Sequence, residues 1–495
     1  MPLLSGSSLA AVDLSGQAVV LAAPPPLDAI DDVGAAVGEA LRFPLEGEPL
    51  EQLVHRRARV TIVVEPPVLP LPGAPEDPRR DALAVVVDEL ARNGVPSSAQ
   101  TILVAGGLGQ RAGRRELEGL LRPERAREFH GSVVVHDCEG DDLVPLGDVA
   151  GTPIHVSRAL TEADLIVLVT AAETVLHGGP ASLLGACGPE LPRHATGGES
   201  LLEPSRSGGF GLARRLVETF AGRAQVLGVS LILDHPRATG HWRGWPHDAG
   251  IRRRIARSHL RRVHNALPTG VRRRILQRLG RELTAVGVLA GPPATAHAEA
   301  LLRGVAVRSA VLDAPVDCLV VPIPWKSASV PRDAVHPLAA ATIGLGLVLR
   351  LWRNEHPLAP GGAVVLVHSF RAAFARPSTR PYRVLYEALR AGGPEALADA
   401  ERSAAADPSA LADYRAGRAP HPLAPFADWD ASAATRMRAE SVIVGGCRDA
   451  VAARALGFVP SHNVDAALQM AHGVTGGERV GVLVGPPYPP LVVGV

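Results

Sequence analysis

The sequence predicts an α/β protein of two domains, each with a mostly parallel sheet. Three observations predict it. Short aliphatic and β-branched runs recur along the chain, and they are continuous rather than alternating, as strands buried on both faces are. A Gly- or Pro-containing turn and then a helically spaced apolar pattern follows most of these runs. The series also stops and restarts, with an arginine-dense segment between its two parts.

The first run, VTIVV at 60–64, ends in a proline-rich loop. Residues 79–93 follow as an amphipathic helix, with Leu83, Val86, Val87 and Leu90 on one face. TILVA at 101–105 is the next strand, and Gly106-Gly107-Leu108-Gly109 turns into a helix over 114–121. Strands at 132–135 and 165–170 (LIVLVT) complete the first series. The second begins near Val311. It has strands at 318–322 (CLVVP), 363–368 (AVVLVH), 441–445 (SVIVG) and 480–484, a long apolar helix at 338–352 and another helix at 464–471. The Ala-rich stretch 394–419 reads as two helical pieces broken near Pro408.

The expected division is a first domain over 1–300, a second over 301–475, and a terminal strand and tail at 476–495 able to return to the first domain. The first domain carries a basic helical insert at 245–283. Arginine triplets at 252 and 272 and a pair at 261 crowd its core, 251–281. Two short helices joined at Leu267-Pro268-Thr269-Gly270 are expected there, forming a solvated hairpin or a site for an anionic partner, a protein or a membrane surface.

Composition narrows the function. Of 495 residues, 46% are hydrophobic and 20% charged, enough apolar material for real cores. Lys+Arg 51 against Asp+Glu 50 gives no basic field for nucleic acid, and 3% aromatics are too few for base-stacking platforms. Cys138, Cys187, Cys318 and Cys447 lie far apart with no C-x-x-C, which excludes a zinc ribbon or disulfide framework and points to reduced thiols in a cytoplasmic protein. The N-terminus lacks the basic n-region of a signal peptide. The longest apolar run, 337–349, stops at Arg350 and is too short to span a bilayer.

Several constellations are candidates for chemistry. Gly107-x-Gly109-x-x-x-Gly113 follows a strand and opens a helix, with Asp137 about 25 residues further on, where a ribose-binding acid would sit. Glycine lets the backbone approach closely and helix N-terminal amides attract phosphate, so a nucleotide-dependent enzyme using the 106–113 turn is one reading; an ordinary glycine-rich strand-to-helix turn is the other. His177-Gly178-Gly179-Pro180 follows a strand end, where His177 is a base, a metal ligand or a hydrogen-bonded loop histidine. Asp234, His235, His241, His247 and Asp248 cluster in a Trp/Gly/Pro-rich loop without the spacing of a compact metal site. Lys326, the only lysine, comes directly after a strand in PIPWKSAS, as a Schiff-base former, a carboxylate anchor or a surface residue. Pro331-Arg332-Asp333 follows it, with Asp333 placed to cap a helix. No G-x-S-x-G, P-loop or H-E-x-x-H occurs.

In order along the chain, DVGAAVGEALRFPLEGEPLEQLVHRRARVTIVV (32–64), TILVAGGLGQRAGRRELEGLL (101–121), VVHDCEGDDLVPLGDVAGTPIHVSRALTEADLIVLV (134–169), AGPPATAHAEA (290–300), VPRDAVHPLAAA and ALGFVPSHNVDAALQMA (455–471) are similar to blocks of the nickel-pincer lactate racemase family. The resemblance implies two α/β domains with the active site in the cleft between them. It implies racemisation of a small 2-hydroxy acid, in which a nickel ion in an organic pincer ring takes a hydride from C2 while histidines exchange the hydroxyl proton. The pincer is tethered to a lysine.

Residue by residue, the chain departs from that pattern. An Asp-x-x-Arg-Pro turn becomes Glu65-Pro66-Pro67-Val68, keeping an acid and losing the arginine. One family histidine falls on Gly109, and another on Val175, or on His177 if two residues are skipped. The tethering lysine falls near Gly185. The later Pro-Lys-Asp becomes Pro331-Arg332-Asp333, followed by Val335, Pro337 and Leu338 where the family has polar residues. The resemblance then implies a diverged racemase or epimerase without the lysine-tethered nickel-pincer nucleotide, with His177 as proton relay, Lys326 or Arg332 and Asp333 at the substrate, and Glu65 with Gly107, Gly109 and Gly113 at a cofactor. The alternative is a catalytically inactive small-anion-binding or scaffolding homologue that keeps the old cleft.

Overall fold

The computed structural model describes residues 1–494 apart from 13–17, 67–76, 150 and 327–333. The chain adopts the expected α/β class. Its first sheet has six strands in the order Ala285–Gly291, Gln225–Leu233, Leu165–Ala171, Val60–Val64, Gln100–Val104 and Ser132–Val135. All neighbours run parallel except Ala285–Gly291, which lies antiparallel at one edge. Every residue of Val60–Val64 and Leu165–Ala171 is buried, the outcome expected of apolar runs covered on both faces. Helices Val33–Arg42 and Pro78–Arg92 pack on one face, and Gly208–Glu218 with the turn Gly179–Ala186 on the other.

Local sequence sets where these helices begin. Asp32 caps the first through Ala35 N–H. Asp77 caps the second through Arg79 N–H, and Pro78 occupies its first position, where a missing N–H costs nothing.

The second sheet has eight strands, with Val459–Ser461, Ser441–Gly445, Leu358–Val367 and Val316–Pro324 in parallel order. Beyond Val316–Pro324 the edge is shared: Pro2–Gly6 pairs with its far end and Val480–Leu483 with its near end. Ala18–Leu21 then lies beside Val480–Leu483, and Ser8–Ala11 folds back on Pro2–Gly6. This differs from the expected division. Pro2–Gly6, Ser8–Ala11 and Ala18–Leu21 belong to the second sheet, and in the tail Leu491–Val493 pairs with Ala310–Leu312 and Trp352–Arg353 in a separate three-stranded sheet. The tail still reaches the first lobe, where Arg281 Nη1 donates to Pro486 O at 3.1 Å.

Two other expectations change. The apolar run 338–352 is not one α-helix but Pro337–Ala341, a π-helical turn at Thr342–Leu347 and a 3₁₀ turn at Val348–Arg350. Gly344 and Gly346 explain the irregular winding. A Cβ on Gly344 would stand 2.4 Å from a Leu366 methyl and one on Gly346 3.3 Å from Ala431, so this backbone lies directly on its neighbours. The insert has three helices, Ala249–Arg257, Leu260–Ala266 and Thr269–Gln277. Arg237–Ala238 pairs with Arg281–Glu282 and pinches it off as a closed excursion. Two of the helices are joined at Leu267-Pro268 as expected and no described residue of the three is buried, but the insert does not stand free: Asn265 exchanges two hydrogen bonds with the Leu9 backbone, at 2.9 and 2.8 Å, and so docks on the other lobe.

Candidate functional site

A cleft of about 1970 Å³ opens between the lobes, with the insert as its roof. The first lobe meets it with the C-terminal ends of four parallel strands: Glu65 after Val60–Val64, the 106–110 turn after Gln100–Val104, His136 after Ser132–Val135 and His177 after Leu165–Ala171. Strand ends of this kind are where parallel sheets hold ligands, because loops there diverge while the sheet holds them rigidly. The second lobe contributes Pro324, Trp325 and Lys326 at the end of Val316–Pro324 and one face of the irregular 342–350 helix. Most of the wall is apolar, and polar groups gather at a few points.

The densest polar point surrounds Glu65. Burial, then the neighbouring Glu173, pushes its carboxyl up to about 8, against the pull of Arg79 and the Gly178 N–H. Arg79 arrives from the start of helix Pro78–Arg92, fixed by Asp77, whose carboxylate is 2.5 Å from its Nη2. Burial opposes the guanidinium charge, but Asp77, Glu173 and Glu65 together hold it protonated. Arg79, further along the chain, thus supplies a guanidinium beside Glu65.

His177 is half-buried on the cleft wall, and its Nδ1 lies 2.8 Å from Thr174 Oγ1. Burial, then the Arg350 charge and then His297, pushes its pKa down to about 3, so the ring is neutral at physiological pH. Behind it His297 is fully buried, with Nε2 2.9 Å from Thr174 O and burial holding its pKa near 4. Gly178 and Gly179 make room for that ring: at φ +54 a Cβ on Gly179 would stand 2.3 Å from His297 Cβ.

The 106–113 turn offers less to a phosphate than its glycines implied. Gly107 and Gly109 border the cleft, but Gly107 N–H donates to Gly185 O at 2.9 Å and Gly109 N–H to Gly106 O at 3.0 Å. Gly113 does not reach the cleft; its N–H is taken by Glu116, and the helix it opens, Arg114–Glu118, has only five residues. Asp137 faces Arg111 and Arg415, each at 3.6 Å. Tyr414 and His421 of the second lobe bond to the carbonyls of Gly107 and Leu108 at 3.2 and 2.9 Å, so the turn serves as a joint between lobes.

Lys326 borders the cleft with Nζ 4.9 Å from the Trp325 ring centroid. Arg332 and Asp333 lie outside the described residues. In the Asp234–Asp248 loop, His235 Nε2 is 3.2 Å from Pro487 O and Asp248 caps helix Ala249–Arg257. Among the described residues no three His, Cys, Asp or Glu side chains converge as a metal site, and no helix is long and apolar enough to cross a membrane.

The lysine-tethered pincer implied by the resemblance does not fit at the tether position. A Cβ on Gly185 would stand 2.6 Å from the Ala105 carbonyl oxygen and 3.0 Å from its carbon, backbone atoms of a sheet strand end that cannot withdraw. No side chain, least of all a lysine, enters there.

Comparison with known proteins agrees with this architecture. Residues 6–178 match the family model of the lactate racemase N-terminal domain. The lactate racemase apoprotein of Thermoanaerobacterium thermosaccharolyticum has a similar structure, with a TM-score of 0.58 at 15% identity, over 100% of this chain and 99% of that one. A Thermotoga maritima protein is similar with a TM-score of 0.50 at 11% identity, over 93% and 97% of the two chains. No curated protein matches the chain.

Proposed function

This chain is lactate racemase-like in its N-terminal sequence and its whole fold, and from that premise we propose that it is a diverged racemase or epimerase of a 2-hydroxy acid, working without a lysine-tethered nickel pincer. The observation that carries the reading is that one cleft is lined by both a neutral imidazole, His177, and a carboxyl, Glu65, which takes the N–H of the next residue, Gly178, and keeps its proton near neutrality. In one cleft, a group unprotonated and a group protonated at neutral pH can divide the roles of proton acceptor and proton donor. His177 would take the hydroxyl proton through Nε2 as C2 gives its hydrogen as hydride to a reversibly bound organic hydride acceptor, which returns it to either face of C2, while Glu65 would hydrogen-bond the oxygen as an acid. Any hydride carrier is held without a covalent bond to residue 185.

The same Gly185 packing favours a second reading, a binding protein that kept the cleft and lost the chemistry. Chiral chromatography of single-enantiomer 2-hydroxy acids after incubation with the native protein separates the two. Interconversion that disappears in His177→Ala and Glu65→Gln supports the enzyme. A protein inert across the panel yet stabilised by one of its members is the binding homologue.

A further inference from the structure

Thr342, Ile343, Gly346, Leu347 and Arg350 all border the cleft, a spacing of three or four that keeps one face of this winding segment toward the ligand space. The π-helical turn at Thr342–Leu347 sets that face, and such turns often occur at functional sites. Its last member is unusual. Arg350 is only 1% exposed. Its Nη1 donates to Gly346 O at 3.3 Å and Ala431 O at 3.2 Å, while Nε and Nη2 are buried with no hydrogen-bond partner. No carboxylate pairs with it among the described residues. A buried cation without a counter-ion is costly, and chains retain few of them.

The two orphaned nitrogens lie along one edge of the guanidinium. That edge presents two parallel N–H groups at the spacing of two carboxylate oxygens. Arg350 also stands close enough to His177 for its charge to act on the imidazole across the cleft. We propose that Arg350 is the ligand's carboxylate anchor: Nε–H and Nη2–H grip the two oxygens from the second lobe, and the rest of the molecule extends toward His177 on the first. Lys326 is then not needed for that role. The inference shares the acid substrate of the proposed function but does not require turnover.

Thermal unfolding of the full chain, titrated with mandelate, mandelamide and inorganic phosphate, tests it. Mandelate pairs a carboxylate with a ring suited to the apolar walls, and mandelamide removes only the charge. The expected result is stabilisation by mandelate alone. This response should be lost in Arg350→Met and weakened at least about tenfold in apparent Kd in Arg350→Lys. Lack of a mandelate response in the wild-type protein, an equal response to mandelamide, a response to phosphate only, or a full response in Arg350→Met each overturns it. Should circular dichroism show Arg350→Met unfolded, Arg350→Lys decides, because it keeps the charge and loses the paired edge. The catalytic reading fails separately: binding through Arg350 with no turnover removes the enzyme and leaves the anchor.

Discussion

Thr174 Oγ1 lies 2.8 Å from His177 Nδ1 and also accepts the Leu176 N–H at 3.2 Å. The hydroxyl oxygen has two lone pairs, so it can accept from both. With the imidazole hydrogen on Nδ1, donated to Thr174 Oγ1, Nε2 is left as an open acceptor, the tautomer the proposed relay requires. Thr174→Val removes the acceptor and frees the ring to adopt the other tautomer. Racemisation should fall about tenfold or more, while Thr174→Ser should keep most of it. Nitrogen-15 NMR of the labelled imidazole reads the tautomer directly, and a hydrogen on Nε2 in the wild-type protein would remove His177 as a base.

Glu65 makes stability depend on pH. Its folded pKa is raised from 4.5 to about 8, chiefly by burial and then by Glu173. Between those values the folded chain holds a proton that the unfolded chain has released, so stability declines as pH rises through this window. Its contribution is fully present below 4.5 and lost once pH passes about 8. Glu65→Gln cannot ionise, and its melting temperature should change less with pH across the same window. A parallel decline in both proteins would assign the slope to other groups. Activity that needs the protonated carboxyl should have its alkaline limb near 8, with no acid limb from His177 until pH approaches 3.

The parts of this molecule legible in sequence are those set by local pattern. Runs such as VTIVV and LIVLVTA are strands because a doubly covered sheet buries every one of their five and seven residues. His177 could be singled out because it lies in the Gly-rich loop after such a run, and Glu65 because it keeps the acid of the family's Asp-x-x-Arg-Pro turn. Sheet edges are different. Nothing in PLLSG says that Pro2–Gly6 will pair with Val316–Pro324, more than 300 residues away, because an edge accepts any strand of suitable length. Arg79, Glu173, His297 and Arg350 escaped for a related reason: each is an ordinary residue on an ordinary element until tertiary packing brings it to the cleft wall or to the groups behind it. Arg350 left one trace, as the charge that ends the apolar run 337–349. Gly185 was the converse, a position whose meaning needed the Ala105 carbonyl beside it.

The packing at Gly185 predicts that the family tether cannot be restored by one substitution. Gly185→Lys forces a Cβ into the Ala105 backbone and should destabilise the chain by about 1–3 kcal/mol, as overpacking does. Gly185→Ala should cost a similar amount, since the first carbon already collides. Calorimetry measures both. A Gly185→Lys protein as stable as wild type would mean that the loop yields and that the barrier to tethering is not steric.

The roof of the cleft supplies the last prediction. Its attachment to the opposite lobe depends on few groups: Asn265 with the Leu9 backbone, and His264 Nε2 3.0 Å from Ser7 O. Arg273 stands over the Trp325 ring at 5.5 Å, a weaker tie. The roof's own base is closed by the Arg237–Ala238 and Arg281–Glu282 pairing, so it can swing as a unit without unravelling the first lobe. Asn265→Ala removes two hydrogen bonds worth about 1 kcal/mol each. Hydrogen exchange in Ala249–Arg257, Leu260–Ala266 and Thr269–Gln277 should quicken, while the strands of both sheets keep their protection. Ligands should also leave the cleft faster, because the roof spends more time open. Unchanged exchange in the three helices would show that the roof is held by its apolar contacts with the cleft wall instead.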